Sequence, residues 1–167
     1  MVVVQQLRLV LEAEPPRFDL PGFTLRHYRG PDDIDRWLEL RQRAFARQRV
    51  GVGTWSRADF ERELLMKPWW RPERVWFAEP RGESSPVGMV TLAERGRGTA
   101  AVPVVHWLAL LPTWRRRGIG RLLMNAVHRA VWNAGGREIR LETHSAWTAA
   151  GKLYEALGYV PVPAPSP

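Results

Sequence analysis

The sequence predicts one α/β domain, a mixed sheet of about six or seven strands flanked by about four helices, in the order β-α-α-β-β-β-α-β-α-β. Three observations carry that expectation. Short stretches alternating between apolar and polar residues, separated by Gly- and Pro-rich turns, fill the middle of the chain. A nearly unbroken apolar run from Val102 to Leu111 marks a strand covered on both faces. After it come a stretch of helical period, an alternating stretch and a second stretch of helical period.

Residues 1–20 read as an N-terminal extension, 21–162 as the domain and 163–167 as a proline-rich tail. In the extension Leu7, Leu9 and Leu11 alternate with Arg8, Val10 and Glu12, the pattern of an extra strand, which Pro15-Pro16 ends. Phe23 to Tyr28 alternates as a strand. Pro31-Asp32-Asp33 opens a helix with Ile34, Trp37, Leu38 and Phe45 on its apolar side. Gly51-Val52-Gly53 is a flexible break. Ser56-Arg57-Ala58-Asp59 has the form of a capping box and starts a second helix, expected to end near Lys67-Pro68.

Strands are then expected from Arg74 to Glu79, from Val87 to Ala93 and from Thr99 to Leu111. Their short connections make an antiparallel meander, with the third strand central. From about Arg117 to Trp132, the residues Ile119, Leu122, Leu123, Ala126, Val127, Ala130 and Val131 form one apolar helix face, which Gly135-Gly136 terminates. A strand follows from Glu138 to Thr143. The last helix carries Ala150, Leu153, Tyr154 and Leu157, takes Gly158 as its left-handed cap, and leads into a strand at Tyr159-Val160.

Composition narrows the function classes. The chain has 167 residues, 45% apolar and 25% charged, which is ordinary for a folded globular domain. It has no cysteine, which excludes disulfide scaffolds, thiolate zinc sites and cysteine nucleophiles. Residues Met1 to Val10 lack a basic start and a long apolar run, so a cytoplasmic protein without a secretory signal or membrane span is expected. The formal net charge of +8 comes almost wholly from arginine, since lysine occurs only at Lys67 and Lys152. Such a surface suits anionic partners, although an arginine-rich solvated face gives the same total.

The junction from Leu110 to Gly120 carries the most chemistry. A buried strand ends there, and a few residues later an amphipathic helix begins with two glycines in its first turn. The first N–H groups of a helix have no internal acceptor and sit at the positive end of its dipole. A loop that gathers several of them binds phosphate oxygens. Glycine lets the backbone come close, and arginines add attraction. Neither Gly-x-x-x-x-Gly-Lys-Ser/Thr nor Gly-x-Gly-x-x-Gly occurs, which argues against a Walker loop and a dinucleotide fingerprint.

Arg115-Arg116-Arg117-Gly118-Ile119-Gly120 resembles the Gln/Arg-x-x-Gly-x-Gly/Ala signature of the GNAT (GCN5-related) N-acetyltransferases. A second block, Ala150 to Tyr159, is similar to the family's helix ending in Leu-Tyr-Glu-x-Leu-Gly-Phe. The order and separation of the blocks match, and the resemblance covers roughly residues 21–160. It implies the GNAT acyltransferase fold and an acetyl-CoA-dependent N-acetyltransferase. The acetyl group would pass to a primary amine (a small molecule, a peptide N-terminus or a lysine) by direct attack in a ternary complex.

Carried over residue by residue, the resemblance implies that main-chain groups of Leu108, Ala109 and Leu110 hold the pantetheine as an added strand. That mode needs a splayed sheet with an unpaired edge. The pyrophosphate would rest on the N–H groups of Arg116, Arg117, Gly118, Gly120 and Arg121, within the motif that also includes Arg115 and Ile119. The N–H of Leu110 would be the oxyanion donor. Tyr154 would protonate the departing CoA thiolate. Where many members carry Asn seven residues before this tyrosine, the chain has Trp147, so stacking or packing against the cofactor would replace the amide contact.

An acceptor amine must lose a proton before it attacks. His106 is the leading candidate base, taken to be in phase with Leu108 and Leu110, and Glu142 and His144 on the neighbouring strand are the runners-up. The acceptor pocket is expected from the first two helices, the Gly51-Val52-Gly53 loop and the C-terminal end, with Trp55, Trp69 and Trp70 in reach. His27, His106, His128 and His144 form no cluster in sequence, and no metal is expected. Two other readings stay open: a non-catalytic acetyl-CoA-binding module, and a basic nucleic-acid-binding domain around Arg115 to Arg121. The second lacks an RNP-like motif and interleaved aromatic-basic strands. A homodimer using residues 1–20 is a further open alternative.

Overall fold

The computed structural model describes residues 3–48 and 51–163. The proline-rich tail therefore lies outside the described residues from position 164 on. Seven strands form one sheet in the order β2-β3-β4-β5-β6-β1-β7. They are β1 (Val4–Val10), β2 (Phe23–His27), β3 (Val75–Pro80), β4 (Gly88–Arg95), β5 (Val102–Leu110), β6 (Glu138–His144) and β7 (Val160–Pro161). The helices are α1 (Asp32–Phe45), α2 (Arg57–Phe60), α3 (Ile119–Asn133) and α4 (Thr148–Ala156). This is the α/β class expected, with the apolar strand β5 in the middle and β2 to β5 an antiparallel meander.

One boundary differs from expectation. The segment set apart as an N-terminal extension lies inside the sheet: β1 pairs antiparallel with β6 along its whole length and with β7 on its other side. Leu7 and Leu11 are buried because their alternation matches the covered face of β6. The chain then crosses the outside of α3 to reach β2 at the opposite edge. Asn125 accepts from the Phe18 N–H at 3.1 Å and donates to the Pro16 carbonyl at 2.7 Å, and Arg129 donates to the Pro15 carbonyl at 2.6 Å.

Each face of the sheet carries one long helix. Trp37 of α1 is fully buried and donates its indole N–H to Thr91 of β4 at 3.0 Å. Arg26 on β2 joins Asp33 of α1 through two bonds of 2.8 and 2.9 Å and Glu79 of β3 at 2.6 Å, which fixes the start of α1 against the sheet edge. On the other face Ile119, Leu123, Met124 and Val127 of α3 are fully buried, at the period expected of one apolar stripe.

The second helix differs in kind from the one expected. The capping box is present, with Ser56 Oγ accepting from the Asp59 N–H and the Asp59 carboxylate accepting from the Ser56 N–H. After one turn, however, the helix widens to a π-helix over Glu61–Leu65, where the Met66 N–H reaches the Glu61 carbonyl at 2.9 Å. Phe60 and Leu64 are both fully buried, four residues apart on the core face.

Candidate active site

The centre of the sheet opens. β5 and β6 run parallel but pair only at Val104↔Arg140 and Val105↔Leu141, while β5 continues to Leu110 and β6 to His144. The strand edge from His106 onward thus faces a gap. Leu111 donates its N–H to the Val87 carbonyl at 2.9 Å, on the β4 side. Alternation along the strand turns the N–H groups of Leu108 and Leu110 the other way, into the gap. Ala109 is the exception among the three residues expected to hold a ligand. Its carbonyl points at β4, 3.3 Å from where a Cβ on Gly88 would stand, so its polar groups belong to the sheet.

The strand runs directly into a helix start. Pro112–Trp114 form one 3-10 turn, and α3 begins at Ile119 behind Gly118, which is left-handed at φ +85°. The first bond into the helix is made by the Leu122 N–H to the Gly118 carbonyl at 3.0 Å. Among the described residues, no N–H from Arg116 to Arg121 donates to another main-chain group. Arg116 is itself left-handed at φ 62°. Successive N–H groups in such a conformation form a concave donor site for an anion.

The arginines of this corner divide by task. Arg117 lies over the Trp114 ring and Arg121 over the Phe18 ring, each 4.7 Å from the centroid. Arg115, expected with the cofactor group, instead donates to the Ala44 carbonyl in the last turn of α1 at 2.5 Å, a favourable place for a cation. Gly120 also has a packing role. A Cβ there would stand 2.9 Å from Leu153 Cδ2, so this glycine lets α4 pack on α3.

Tyr154 of α4 is buried at 6% exposure, and burial pushes its phenol well above its ordinary range, so it stays protonated. Behind it, at a ring distance of 5.7 Å, lies Tyr159, whose hydroxyl sits 3.0 Å from His128 Nε2. Burial drives the His128 imidazole down to about 4, so at neutral pH the pair is uncharged. Trp147 occupies the N-cap of α4, with its ring against Phe45 and His144 at 4.8 and 4.9 Å.

His106 is not in phase with Leu108 and Leu110, contrary to the sequence expectation. A register shift opposite Thr91 inserts an extra residue in β5, and Trp107 takes φ 64° there. That bulge breaks the alternation, and the His106 ring instead neighbours Trp55 and Trp107 at 6.2 and 5.6 Å. Burial, with Arg41 adding, lowers its imidazole to about 4. Glu142 is exposed and paired with Arg95 at 2.7 Å. His144 has a buried Nδ1 without a hydrogen-bond partner among the described residues.

Sequence reasoning missed Arg41, which on a helical wheel counts only as a charged residue among apolar ones. It is 3% exposed, and its guanidinium lies between Trp55 and Trp107, at 4.4 and 4.2 Å from the ring centroids. Its neighbour Trp37 would have been the signal, since i and i+4 share a face. Trp70 packs edge-on against Tyr28 and Phe60, and Phe60 in turn packs on Trp37, which stacks on Trp55. Two cavities of about 980 and 370 Å³, one between β2 and α3 and one beside the β3–β4 turn, reach neither His106, Leu108 nor Tyr154. No group of His, Asp or Glu suited to a metal ion occurs among the described residues. Among them, too, no helix is long and apolar enough to cross a membrane.

Comparison with known proteins matches this geometry to a family. The model of the acetyltransferase (GNAT) family matches residues 34–159. A mycothiol acetyltransferase of Salinispora tropica is 34% identical over 160 residues, covering 94% of this chain and 51% of that protein. One from Acidothermus cellulolyticus is 29% identical over 168 residues, with coverage of 94% and 51%. The chain thus spans about half the length of these relatives. Among solved structures, a GCN5-related N-acetyltransferase from Sphaerobacter thermophilus superposes with a TM-score of 0.77 at 21% identity, covering 95% of this chain and 48% of that one.

Proposed function

The chain belongs to the acetyltransferase (GNAT) family, and from that membership we propose that it transfers an acetyl group from acetyl-CoA to a primary amine in the cytoplasm. The amine belongs to a small molecule, a peptide N-terminus or a lysine, and attacks directly in a ternary complex. The observation that carries the proposal is the parting of β5 from β6 after two residue pairs, beside a helix start rich in free N–H groups.

The residues present fit the cosubstrate. Leu108 and Leu110 offer main-chain groups on an open strand edge to the pantetheine. The N–H groups of Arg116, Arg117, Gly118, Ile119, Gly120 and Arg121 receive the pyrophosphate, and the Trp147 ring flanks the cleft. Acetyl-CoA supplies an activated thioester there. The Leu110 N–H donates where an oxyanion develops, as a fixed dipole that needs no reorganisation. Tyr154 holds its proton at Oη until the thiolate departs, since a phenol pushed up by burial is a donor throughout the neutral range. His106 is neutral at pH 7, but at about 4 it takes a proton from an ammonium only weakly. The acceptor therefore reacts from its own neutral fraction, with Glu142 and His144 on the neighbouring strand as the remaining candidate bases.

The test has two parts. Acetyl-CoA at a hundred times its dissociation constant stabilises the fold by roughly 2.7 kcal/mol in thermal unfolding, and free CoA is released when a set of amines is added. A shift by oligonucleotides alone defeats the proposal. A shift by acetyl-CoA with no CoA release from any amine assigns the chain to binding without turnover.

A further inference from the structure

The deeper part of the acceptor side is built around a cation with no anion. Arg41 sits on the covered face of α1 with Trp37, Leu40 and Ala44, where charged side chains are rare unless paired. Among the described residues no carboxylate forms an ion pair with it. Its hydrogen bond among those residues goes to the Gly53 carbonyl at 2.7 Å, and Asp59 acts on it through space. Its Nε is buried with no acceptor among the described residues, and so is the indole N–H of Trp107, the ring against which it stacks. Both groups can only donate. Two adjacent buried donors without an acceptor leave the site short of an oxygen.

Trp107 ties this shortage to the chemistry. It is the left-handed bulge residue of β5, next to Leu108, whose N–H faces the gap. Its other neighbour in the chain is His106, at a ring distance of 5.6 Å. Burial lowers the His106 imidazole first, then Arg41, with Glu63 opposing and Arg95 and Lys67 adding less. A buried cation beside the site repels a polycation and welcomes an anion.

Resting on the acetyl-transfer reading above, we propose that Arg41 is the acceptor-recognition residue of this site and that the amine it selects carries a carboxylate. On binding, that carboxylate supplies the acceptor that the buried guanidinium Nε lacks, while Nη1 keeps the Gly53 carbonyl. A charged acceptor on a charged donor makes the stronger class of hydrogen bond. The Trp55 and Trp107 rings hold the guanidinium plane in a fixed orientation for it.

Matched amines test this: L-phenylalanine against phenethylamine, L-lysine against cadaverine, and glycyl-glutamate against glycyl-glutamine. CoA release is followed at saturating acetyl-CoA, and acetyl-CoA affinity is measured separately by calorimetry. The expected result is a kcat/KM at least about tenfold higher for the more carboxylated member of at least one pair. Arg41→Met should erase that ratio through KM while acetyl-CoA affinity holds, and Arg41→Lys should keep part of it. Acetyl-CoA binding with no pair favouring the carboxylate, or with cadaverine preferred, overturns the assignment of Arg41. A ratio that survives Arg41→Met overturns it as well. Should that variant not fold, the wild-type ratios and Arg41→Lys still decide. Absence of acetyl-CoA binding defeats the acetyl-transfer reading itself.

Discussion

In the proposed reading, the cosubstrate side of the cleft is made of main chain, whereas the acceptor side is made of side chains. On the first side the proposed groups are N–H groups of Leu108, Leu110 and the start of α3, oriented by strand alternation and by one left-handed glycine. On the second they are Arg41, Trp55, Trp107 and His106, brought together from α1, the following loop and β5. Backbone sites tolerate many side chains and respond to changes in conformation. Side-chain sites respond to changes in charge and titration.

Acidification should therefore strike the side chains first. Burial lowers the His106 and His128 imidazoles to about 4, against 6.5 for an exposed imidazole. Between those values the unfolded chain binds more protons than the folded one. Stability is thus full above about pH 6.5 and falls as the pH drops towards 4, by on the order of 3 kcal/mol per histidine at most. Urea unfolding across that window checks it, and His128→Leu should remove about half the loss. A flat profile would show that both rings are solvated.

Chemistry is the next largest effect. Tyr154→Phe should lower kcat by about a hundredfold and leave acetyl-CoA affinity within about twofold. Pre-steady-state acetyl transfer and calorimetry separate the two. An equal loss in both would reduce the tyrosine to packing between α4 and the sheet.

The cradle should respond to conformation. Gly118→Val places a branched residue at φ +85° and a Cβ 3.3 Å from Leu20, so CoA affinity should fall by about a hundredfold. Gly120→Val should do less, because its Cβ meets the movable end of Leu153. The reverse ranking, in variants shown to be folded, would mean that the second glycine rather than the first sets the approach of the phosphate.

The smallest effect is expected behind the tyrosine. Tyr159→Phe leaves the buried His128 ring nitrogen without its partner and should cost about 1–2 kcal/mol of stability. Adding His128→Leu should recover part of that, since both polar groups are then gone. Thermal melts of the three variants give the coupling.

The same division explains what could be read from the chain before folding. The strand Val102–Leu110, the apolar stripe of α3 and the Gly118 turn are local patterns, and they appear where the sequence puts them. β1 was readable as a strand through Leu7 and Leu9, yet its place between β6 and β7 depends on pairing with residues more than a hundred positions away. His106 was misplaced because a β-bulge has no period, and the left-handed Trp107 has no marker such as glycine. Arg115 looked like a phosphate ligand because its carbonyl partner, Ala44, is remote in sequence. For Arg41 the spacing from Trp37 marks only the shared face; its burial between Trp55 and Trp107 follows from tertiary contacts, which spacing does not encode.

Amide resonances offer the sharpest examination of the cleft. In a 15N-labelled sample titrated with CoA, the N–H groups of Leu108, Leu110, Gly118, Gly120 and Arg121 should shift together, saturate at one affinity and become protected from hydrogen exchange. Val87 and Thr91 on the neighbouring strand should stay in place. Saturable shifts confined to other residues, or protection that leaves the α3 amides exchanging as before, would contradict a main-chain cradle in the parting of β5 and β6.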